Sequence, residues 1–293
     1  MERLSLGVQT ALGRSPARGA LRRAHQRYRH ARVLLYKLRY GDVDESEQTV
    51  DAIESISRQM VGQGLRVERI QVNPAEYEAF IRAAAIPEAV YSDLYRSKLL
   101  EHFLSVQVLK PRPADVIVDV ACFASPFAAM LRRLYGCQTY RQDLLFPPGI
   151  HGDRIGGNAA KLPLADASIR GMTLHNSLEH FEGDSDSLFI REAARVLQPG
   201  GSVCIVPLDM SATYSIRTDP TLRRRNLTFD ERAVVLPRPG LGQRHERFYD
   251  VAALQRRILN QSSLLRPSLT LVTNVADVCP GGKPLFVLTL EHT

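Results

Sequence analysis

Between residues 116 and 206 the chain alternates strand-like and helix-like segments, and this alternation limits its fold more than any other feature. The apolar runs at 116–120, 172–174 and 203–206 are typical of buried strands, and 126–136 has apolar residues at helical spacing. Helices that alternate with strands connect parallel strands as crossovers. The sequence therefore predicts an α/β fold with a doubly wound, mostly parallel sheet.

Chemically distinctive residues follow the predicted strands. Asp119 ends the first strand and leads into the turn Ala121-Cys122-Phe123-Ala124-Ser125, Asp143 closes the next strand-like segment, and His175 follows the strand at 172–174. Ligands of open α/β sheets bind beyond the carboxyl ends of the strands. We therefore expect these residues, with Asn158 in a later loop, to share one edge of the sheet.

Five short motifs, in order, resemble those of class I S-adenosylmethionine-dependent methyltransferases of the type 11-like group. The family's D-x-G-x-G-x-G motif corresponds to 119–125 and its ribose-binding acid to Asp143. The remaining motifs correspond to 162–166, 178–180 and 195–201. The resemblance spans residues 114–207. It implies a Rossmann-like, seven-stranded sheet, S-adenosylmethionine as cofactor and methyl transfer as the reaction.

The resemblance also implies roles for single residues. Asp119 would orient the turn and reach the amino group of the methionine moiety, or else only stabilise backbone N–H groups of the loop. Asp143 would accept the ribose hydroxyls, and the side-chain oxygen of Asn158, beside Ala159, would accept from the adenine amino group. The cofactor site would thus contain the residues Asp119, Ala121, Cys122, Phe123, Ala124, Ser125, Asp143, Asn158, Ala159 and His175.

Three family glycines are replaced, by Ala121, Phe123 and Ser125. Glycine at a crowded turn permits a positive φ and close approach of the backbone to a ligand. A bulky Phe123 must either point away or occupy part of the cofactor site. This departure leaves an alternative, in which the chain keeps the fold as a non-catalytic interaction or regulatory module.

Methyl transfer from a sulfonium needs alignment of the reacting atoms and exclusion of water, and a base only for a hydroxyl or a protonated amine acceptor. His175 is the first candidate base and His180 the second, because imidazole titrates near neutral pH. The acidic run 182–186 is interpreted as a helix N-terminus, and no metal site is predicted.

Residues 208–247 lack long periodicity and predict a loop-rich insertion that covers the substrate. Its basic residues would bind a phosphate or carboxylate of the acceptor, with solvated loop arginines as the alternative. The predicted substrate-binding residues are Arg223, Arg224, Arg244, His245 and Arg247. Neither the N/D-P-P-Y/F motif nor the Pro-Cys motif of nucleobase methyltransferases is present. A small molecule, lipid or saccharide methylated on oxygen or nitrogen fits better.

The net charge of +7 is concentrated at the N-terminus, where residues 1–40 hold nine arginines and one lysine against one acid. This predicts a basic helical segment. It could dock on the protein, contact an anionic membrane surface through residues 14–39, resemble a transit peptide or bind nucleic acid. An RNA-modifying methyltransferase is the corresponding alternative function.

We predict three regions: the basic segment 1–40, a mainly helical accessory region 41–110, and the methyltransferase domain 111–293. Further helices are expected at about 44–62, 75–84, 88–107 and 250–260, with strands near 65–72, 269–272 and 285–290. Four distant cysteines without a C-x-x-C pair favour reduced thiols in a cytoplasmic protein. No apolar run is long enough to span a membrane.

Overall fold

The computed structural model describes residues 49–222 and 227–293, together with Leu34, Leu35 and Leu38. These three leucines are helical and exposed, and the rest of the predicted basic segment lies outside the described residues. The strands are β1 (Val67–Ile70), β2 (Val116–Val120), β3 (Gln138–Asp143), β4 (Gly149–His151), β5 (Arg154–Gly156), β6 (Ile169–His175), β7 (Leu197–Val206), β8 (Ser215–Thr218), β9 (Val234–Pro237), β10 (Glu246–Phe248), β11 (Leu265–Val272) and β12 (Leu285–His292).

Helices lie between most of the long strands. Within the described residues the α-helices are α1 (Val50–Gly62), α2 (Pro74–Ala84), α3 (Tyr95–Leu109), α4 (Phe127–Tyr135), α5 (Ser185–Val196), α6 (Val251–Leu254) and α7 (Val275–Val278).

The main sheet has nine strands in the order β1-β11-β12-β7-β6-β2-β3-β5-β4. Strands β7, β6, β2, β3 and β5 pair in parallel, and β12 runs antiparallel to both of its neighbours. Two clusters of buried apolar side chains pack against the sheet. The predicted doubly wound, mostly parallel α/β fold is confirmed, and β1 and β4 extend the expected seven strands to nine.

The N-terminal accessory region contributes directly to this sheet. The domain boundary predicted near residue 110 falls between α3 and β2, but β1, which precedes it, pairs in parallel with β11. Helix α3 contacts β6 and β7. Residues before 110 therefore help to build one edge of the sheet and one of its faces.

Local capping explains where two of these helices begin. The Asn73 side chain accepts hydrogen bonds from the N–H groups of Ala75 and Glu76, and Pro74 occupies the first helical position of α2. The helix predicted over 88–107 begins later, at Tyr95, after two 3-10 turns. Ser92 has a φ of 50°, which an α-helix does not allow.

The insertion differs from the predicted loop-rich segment. It contains the short strands β8, β9 and β10, which form a separate three-stranded sheet in the order β10-β8-β9. Each strand has only three or four residues. Strands this short do not produce a periodicity that sequence analysis can detect, and outside them most of the described part of 208–247 is loop.

A buried ion cluster ties the insertion to the sheet domain. Asp186 near the start of α5 lies 2.6 Å from Arg247 of β10 and 2.6 Å from Arg257, and it accepts a hydrogen bond from Tyr249. Arg247 and Asp186 are fully buried. Burial by itself would raise the pKa of Asp186, but the Arg257 hydrogen bond and the Arg247 charge hold that pKa below its ordinary value.

Removal of the Asp186 carboxylate should destabilise the protein strongly, because Arg247 would lose its carboxylate partner and Arg257 the closest of its carboxylate partners. We expect Asp186→Ala to lower the free energy of unfolding by about 3–5 kcal/mol, measured by urea denaturation. Asp166→Ala is the control. Asp166 also pairs with an arginine, Arg195, but its side chain is 78% exposed, and the loss should stay below about 1 kcal/mol. Equal losses for both variants would contradict the structural role of the cluster.

Candidate active site

The turn after β2 keeps a glycine-like backbone without glycine. Ala121 has a φ of 50° and Phe123 a φ of 48°, both in the left-handed region that side chains with a Cβ adopt rarely. Each such residue costs on the order of 1–2 kcal/mol. The predicted positive φ at this turn is therefore present, although the residues that provide it differ from the family's.

Two side chains at the end of β3 hold this strained turn. Asp143 accepts hydrogen bonds from the N–H of Phe123 at 2.7 Å and from the N–H of Leu145 at 2.9 Å. Gln142 accepts from the N–H of Ala121 at 3.1 Å and donates to the carbonyl of Gly157 at 2.6 Å. Sequence analysis missed Gln142, because neither its residue type nor its position distinguishes it from an ordinary strand residue.

The Phe123 side chain lies at the protein surface. It is 55% exposed and projects from the turn. Its neighbour Cys122 is instead buried, at 7% exposed. The Phe123 side chain therefore does not fill the interior of the turn.

A cavity of about 420 Å³ opens beside this turn, at the carboxyl ends of β2 and β3. We call it the β2–β3 cavity. Four of the predicted cofactor residues line it, and His180 lies on its wall. Its lining residues are Ala121, Gln142, Asp143, Leu144, Asn158, Ala159, His180, Phe181, Glu182, Ser185 and Arg244.

Asp119 and His175 lie together but are enclosed in the protein. Asp119 is 1% exposed, accepts a hydrogen bond from Thr173 at 2.9 Å and lies 3.3 Å from Nδ1 of His175. Nε2 of His175 is 2.9 Å from the hydroxyl of Ser105. The His175 ring also contacts Phe127, with their centroids 4.6 Å apart. His175, the first predicted base, is therefore not one of the residues that line the β2–β3 cavity.

His180, the second predicted base, takes part in a pair of hydrogen bonds between its segment and the insertion. Its Nδ1 donates to the carbonyl of His245 at 2.8 Å, and Nδ1 of His245 donates to the carbonyl of Glu179 at 3.0 Å. Burial, together with the Arg247 charge, lowers the pKa of His245 to about 4. His245 is therefore neutral near pH 7, and its ring fixes the 178–180 segment.

The other predicted substrate-binding residues do not share one location. Arg244 lines the β2–β3 cavity and pairs with Glu182 at 3.1 Å. Arg247 is fully buried in the Asp186 cluster. Arg223 and Arg224 lie outside the described residues. Arg244 alone of the three described members therefore borders a ligand-sized space.

A second cavity, of about 310 Å³, lies at the ends of β7 and β12 and beside α3. We call it the β7–β12 cavity. Its wall combines apolar side chains with the polar residues Glu101, Asn176, Asp209 and Lys283. Glu101 is 3% exposed and accepts hydrogen bonds from Asn176 at 2.7 Å and Lys98 at 2.9 Å. Sequence analysis did not identify this cavity, because α3, β7 and β12 are far apart in the chain.

The strand order, the antiparallel β12, the turn after β2 and the acid that ends β3 together define a class I methyltransferase fold. Residues 118–205 match the family model described as a methyltransferase domain. The chain therefore carries a methyltransferase domain of the S-adenosylmethionine-dependent class, as its motifs predicted.

Solved structures with similar folds include the 1,6-didemethyltoxoflavin N1-methyltransferase of Burkholderia thailandensis, with 15% identity and a TM-score of 0.48 over 78% of this chain and 93% of that one. The PH0226 protein of Pyrococcus horikoshii has 18% identity and a TM-score of 0.44 over 73% and 99%. Geranyl diphosphate C-methyltransferase of Streptomyces coelicolor has 14% identity and a TM-score of 0.40 over 82% and 97%. Among curated proteins nothing matches.

Further features concern metals, thiols and membranes. All four cysteines are buried, and none of them forms a disulfide. In the part of the chain that the structure describes, no group of three or more His, Cys, Asp or Glu residues is arranged to hold a metal ion. None of the described helices combines the length and apolar character needed to cross a membrane.

Replacement of Phe123 by glycine should be tolerated, because it relieves the left-handed strain and removes a side chain that is mostly exposed. We expect the free energy of unfolding of Phe123→Gly to stay within about 1 kcal/mol of the wild-type value or to rise, measured by urea denaturation. Leu188→Gly is the control. Leu188 is 45% exposed in α5, where glycine relieves no strain and should cost about 1 kcal/mol. A larger loss for Phe123→Gly than for Leu188→Gly would refute the outward placement of Phe123.

Glu179 should make stability depend on pH. Burial raises its pKa to about 8, so the folded state keeps the proton that the unfolded chain releases near its ordinary pKa. Its contribution to stability is complete below about pH 4.5 and decreases as the pH rises towards 8. Glu179→Gln, which cannot ionise, should therefore gain stability relative to wild type between pH 5.5 and 8 in urea titrations. A parallel Glu68→Gln variant changes an exposed residue and should show no such gain. A gain that does not grow with pH would contradict this assignment.

Proposed function

We propose that this protein transfers a methyl group from S-adenosylmethionine to an oxygen or nitrogen atom of a small-molecule, lipid or saccharide acceptor. The observation that carries the proposal is the β2–β3 cavity. It opens beneath the left-handed turn 121–125, and Asp143, Asn158 and Ala159 line it. The cavity lies at the carboxyl ends of parallel strands, where open α/β sheets bind their ligands.

The cavity fits a nucleoside-bearing cofactor in size and in chemistry. Its volume of about 420 Å³ is within the range of small-molecule sites. Each carboxylate oxygen of Asp143 accepts one backbone N–H and retains a lone pair for a ribose hydroxyl. Leu144 is 74% exposed at the cavity wall and offers an apolar surface to an adenine ring. These residues support cofactor binding in the orientation that the family resemblance implies.

Asn158 is suited to the adenine edge in a different way from the sequence expectation. Its Oδ1 already accepts a hydrogen bond from the N–H of Ala160 at 2.9 Å. The Nδ2 group donates no hydrogen bond to any described residue, and it can donate to a ring nitrogen of adenine. Asn158 would then recognise adenine by donating a hydrogen bond rather than by accepting one.

The bound cofactor supplies an activated methyl group on a sulfonium, and the residues of this chain position and shield it. Asp143 and Asn158 would fix the nucleoside, and the 121–125 turn would bring its backbone close to the ligand. The segment 176–180 separates the two cavities, with Asn176 on the wall of one and His180 on the wall of the other. An acceptor in the β7–β12 cavity would therefore be close to a cofactor in the β2–β3 cavity. This arrangement is suited to direct transfer of the methyl group from the cofactor to the acceptor.

Two alternatives have less support from the structure. A non-catalytic module was suggested by Phe123, but that side chain leaves the β2–β3 cavity open. An RNA-modifying enzyme, or contact with a membrane surface, depends on residues 1–40, which lie almost entirely outside the described residues. We therefore propose a small-molecule acceptor.

Isothermal titration calorimetry with S-adenosylhomocysteine tests the proposal. We expect binding by the wild type and a loss of at least about tenfold in affinity for Asp143→Ala, since each charge-assisted hydrogen bond contributes roughly 1.5–3 kcal/mol. Because Asp143 also holds the turn, Asp143→Asn and a thermal unfolding scan of each variant separate lost contacts from a lost fold. Asp166→Ala, at an exposed carboxylate, is the matched control and should bind normally. A wild-type protein that binds neither S-adenosylhomocysteine nor S-adenosylmethionine would exclude this function.

A further inference from the structure

Asp209 lines the β7–β12 cavity. The residue follows the end of β7, and its backbone carbonyl accepts the N–H of Tyr249 at 3.0 Å. Within the described residues we find no side chain or backbone N–H that donates to its carboxylate, and Asp209 lies on the cavity wall. The other acid of the wall, Glu101, is already satisfied by Lys98 and Asn176.

The surroundings of Asp209 disfavour its ionised form. Burial raises the pKa of Asp209 well above its ordinary value, and the charges of Glu179 and Glu246 raise it further, while His180 and Arg217 lower it. Glu179 is 6% exposed, and its Oε2 is buried without a hydrogen-bond partner among the described residues. Glu179 therefore lies near enough to Asp209 to influence its ionisation, although Glu179 does not line the cavity.

The remaining lining of the cavity indicates the shape of the missing partner. Leu100, Val275 and Phe286 supply apolar wall, so the space suits an apolar body that carries one polar group. Lys283 is the cationic residue on this wall, and it is exposed at the surface. Burial disfavours the ionised form of Asp209, and a ligand cation that donates hydrogen bonds to this carboxylate would stabilise that form, whereas an anionic ligand would not.

Building on the proposed function, we propose that the β7–β12 cavity binds the methyl acceptor and that Asp209 holds its basic nitrogen, so that the acceptor is an amine with an apolar body. This replaces the anionic acceptor suggested by the arginines of the insertion. Of those, Arg244 borders the other cavity and Arg247 is buried in an ion cluster.

The same contact gives Asp209 a role in the reaction. The ammonium group of the acceptor transfers one proton to the Asp209 carboxylate, which frees the nitrogen lone pair. That lone pair forms the new bond to the methyl carbon as the carbon–sulfur bond breaks and its electron pair stays on sulfur. The products are the methylated ammonium and S-adenosylhomocysteine, and the proton on Asp209 leaves to solvent.

Binding of three ring compounds that differ only in their polar group tests the proposal: benzylamine, benzyl alcohol and benzoate, titrated into the full chain at pH 7.5 and followed by ligand-observed NMR. We expect benzylamine to bind at least fivefold more tightly than benzyl alcohol, and benzoate to bind least. Asp209→Asn should weaken benzylamine binding at least tenfold and leave benzyl alcohol within about twofold. Asp277→Asn, the same change at an exposed residue of α7, should bind all three compounds as the wild type does.

Thermal unfolding of each variant, with Asp209→Ser as a second substitution, shows whether a loss of binding reflects a loss of fold. The proposal is overturned if benzoate binds as well as benzylamine, if the wild type binds no benzylamine, or if folded Asp209→Asn and Asp209→Ser bind it normally. Titration of the same samples with S-adenosylhomocysteine keeps the two hypotheses apart. Benzylamine binding that depends on Asp209, without S-adenosylhomocysteine binding, would support the amine site and reject the proposed methyl transfer.

Discussion

The hydrogen bond from the Phe123 N–H to Asp143 is the contact on which the candidate site depends. Two residues with side chains, Ala121 and Phe123, hold a left-handed backbone that costs on the order of 1–3 kcal/mol at each position. A carboxylate acceptor at 2.7 Å and the Gln142 amide compensate for part of that strain. Glycine makes such a turn easy to form, whereas here neighbouring side chains impose it.

Most of the fold could be predicted because its elements repeat at regular periods. The apolar run of β2 and the helical spacing of α4 were visible in the sequence, and Gly136 with a φ of 70° ended that helix as expected. The elements that were missed are short or nonlocal. β4 and the strands of the insertion have three or four residues. The strand predicted near 65–72 is present as β1, but its pairing with β11, which is distant in the chain, was not predicted. Periodicity carries no information about such pairing.

The candidate site was predictable where it follows strand ends and unpredictable where it depends on packing. Asp143, Asn158 and Ala159 line the β2–β3 cavity because each lies at or beyond the edge where the strands end. His175 also follows a strand, but α3 covers it and Ser105 contacts its ring. Glu101 and Asp209 gain their importance only when α3 packs beside β7. A sequence pattern can place a residue at an edge, but it cannot show which element covers that edge.

The insertion and the sheet domain influence each other through charge as well as packing. His245 fixes the 178–180 segment by its hydrogen bond to Glu179, and Arg247 joins the same strand to Asp186. Glu246 lies between them in sequence and adds its negative charge to the field at Asp209. One short strand, β10, thereby sets both the position of the segment between the two cavities and the electrostatics of the second cavity. A cation bound at Asp209 would favour its ionised form, and any ligand that binds only the folded state would also stabilise the protein.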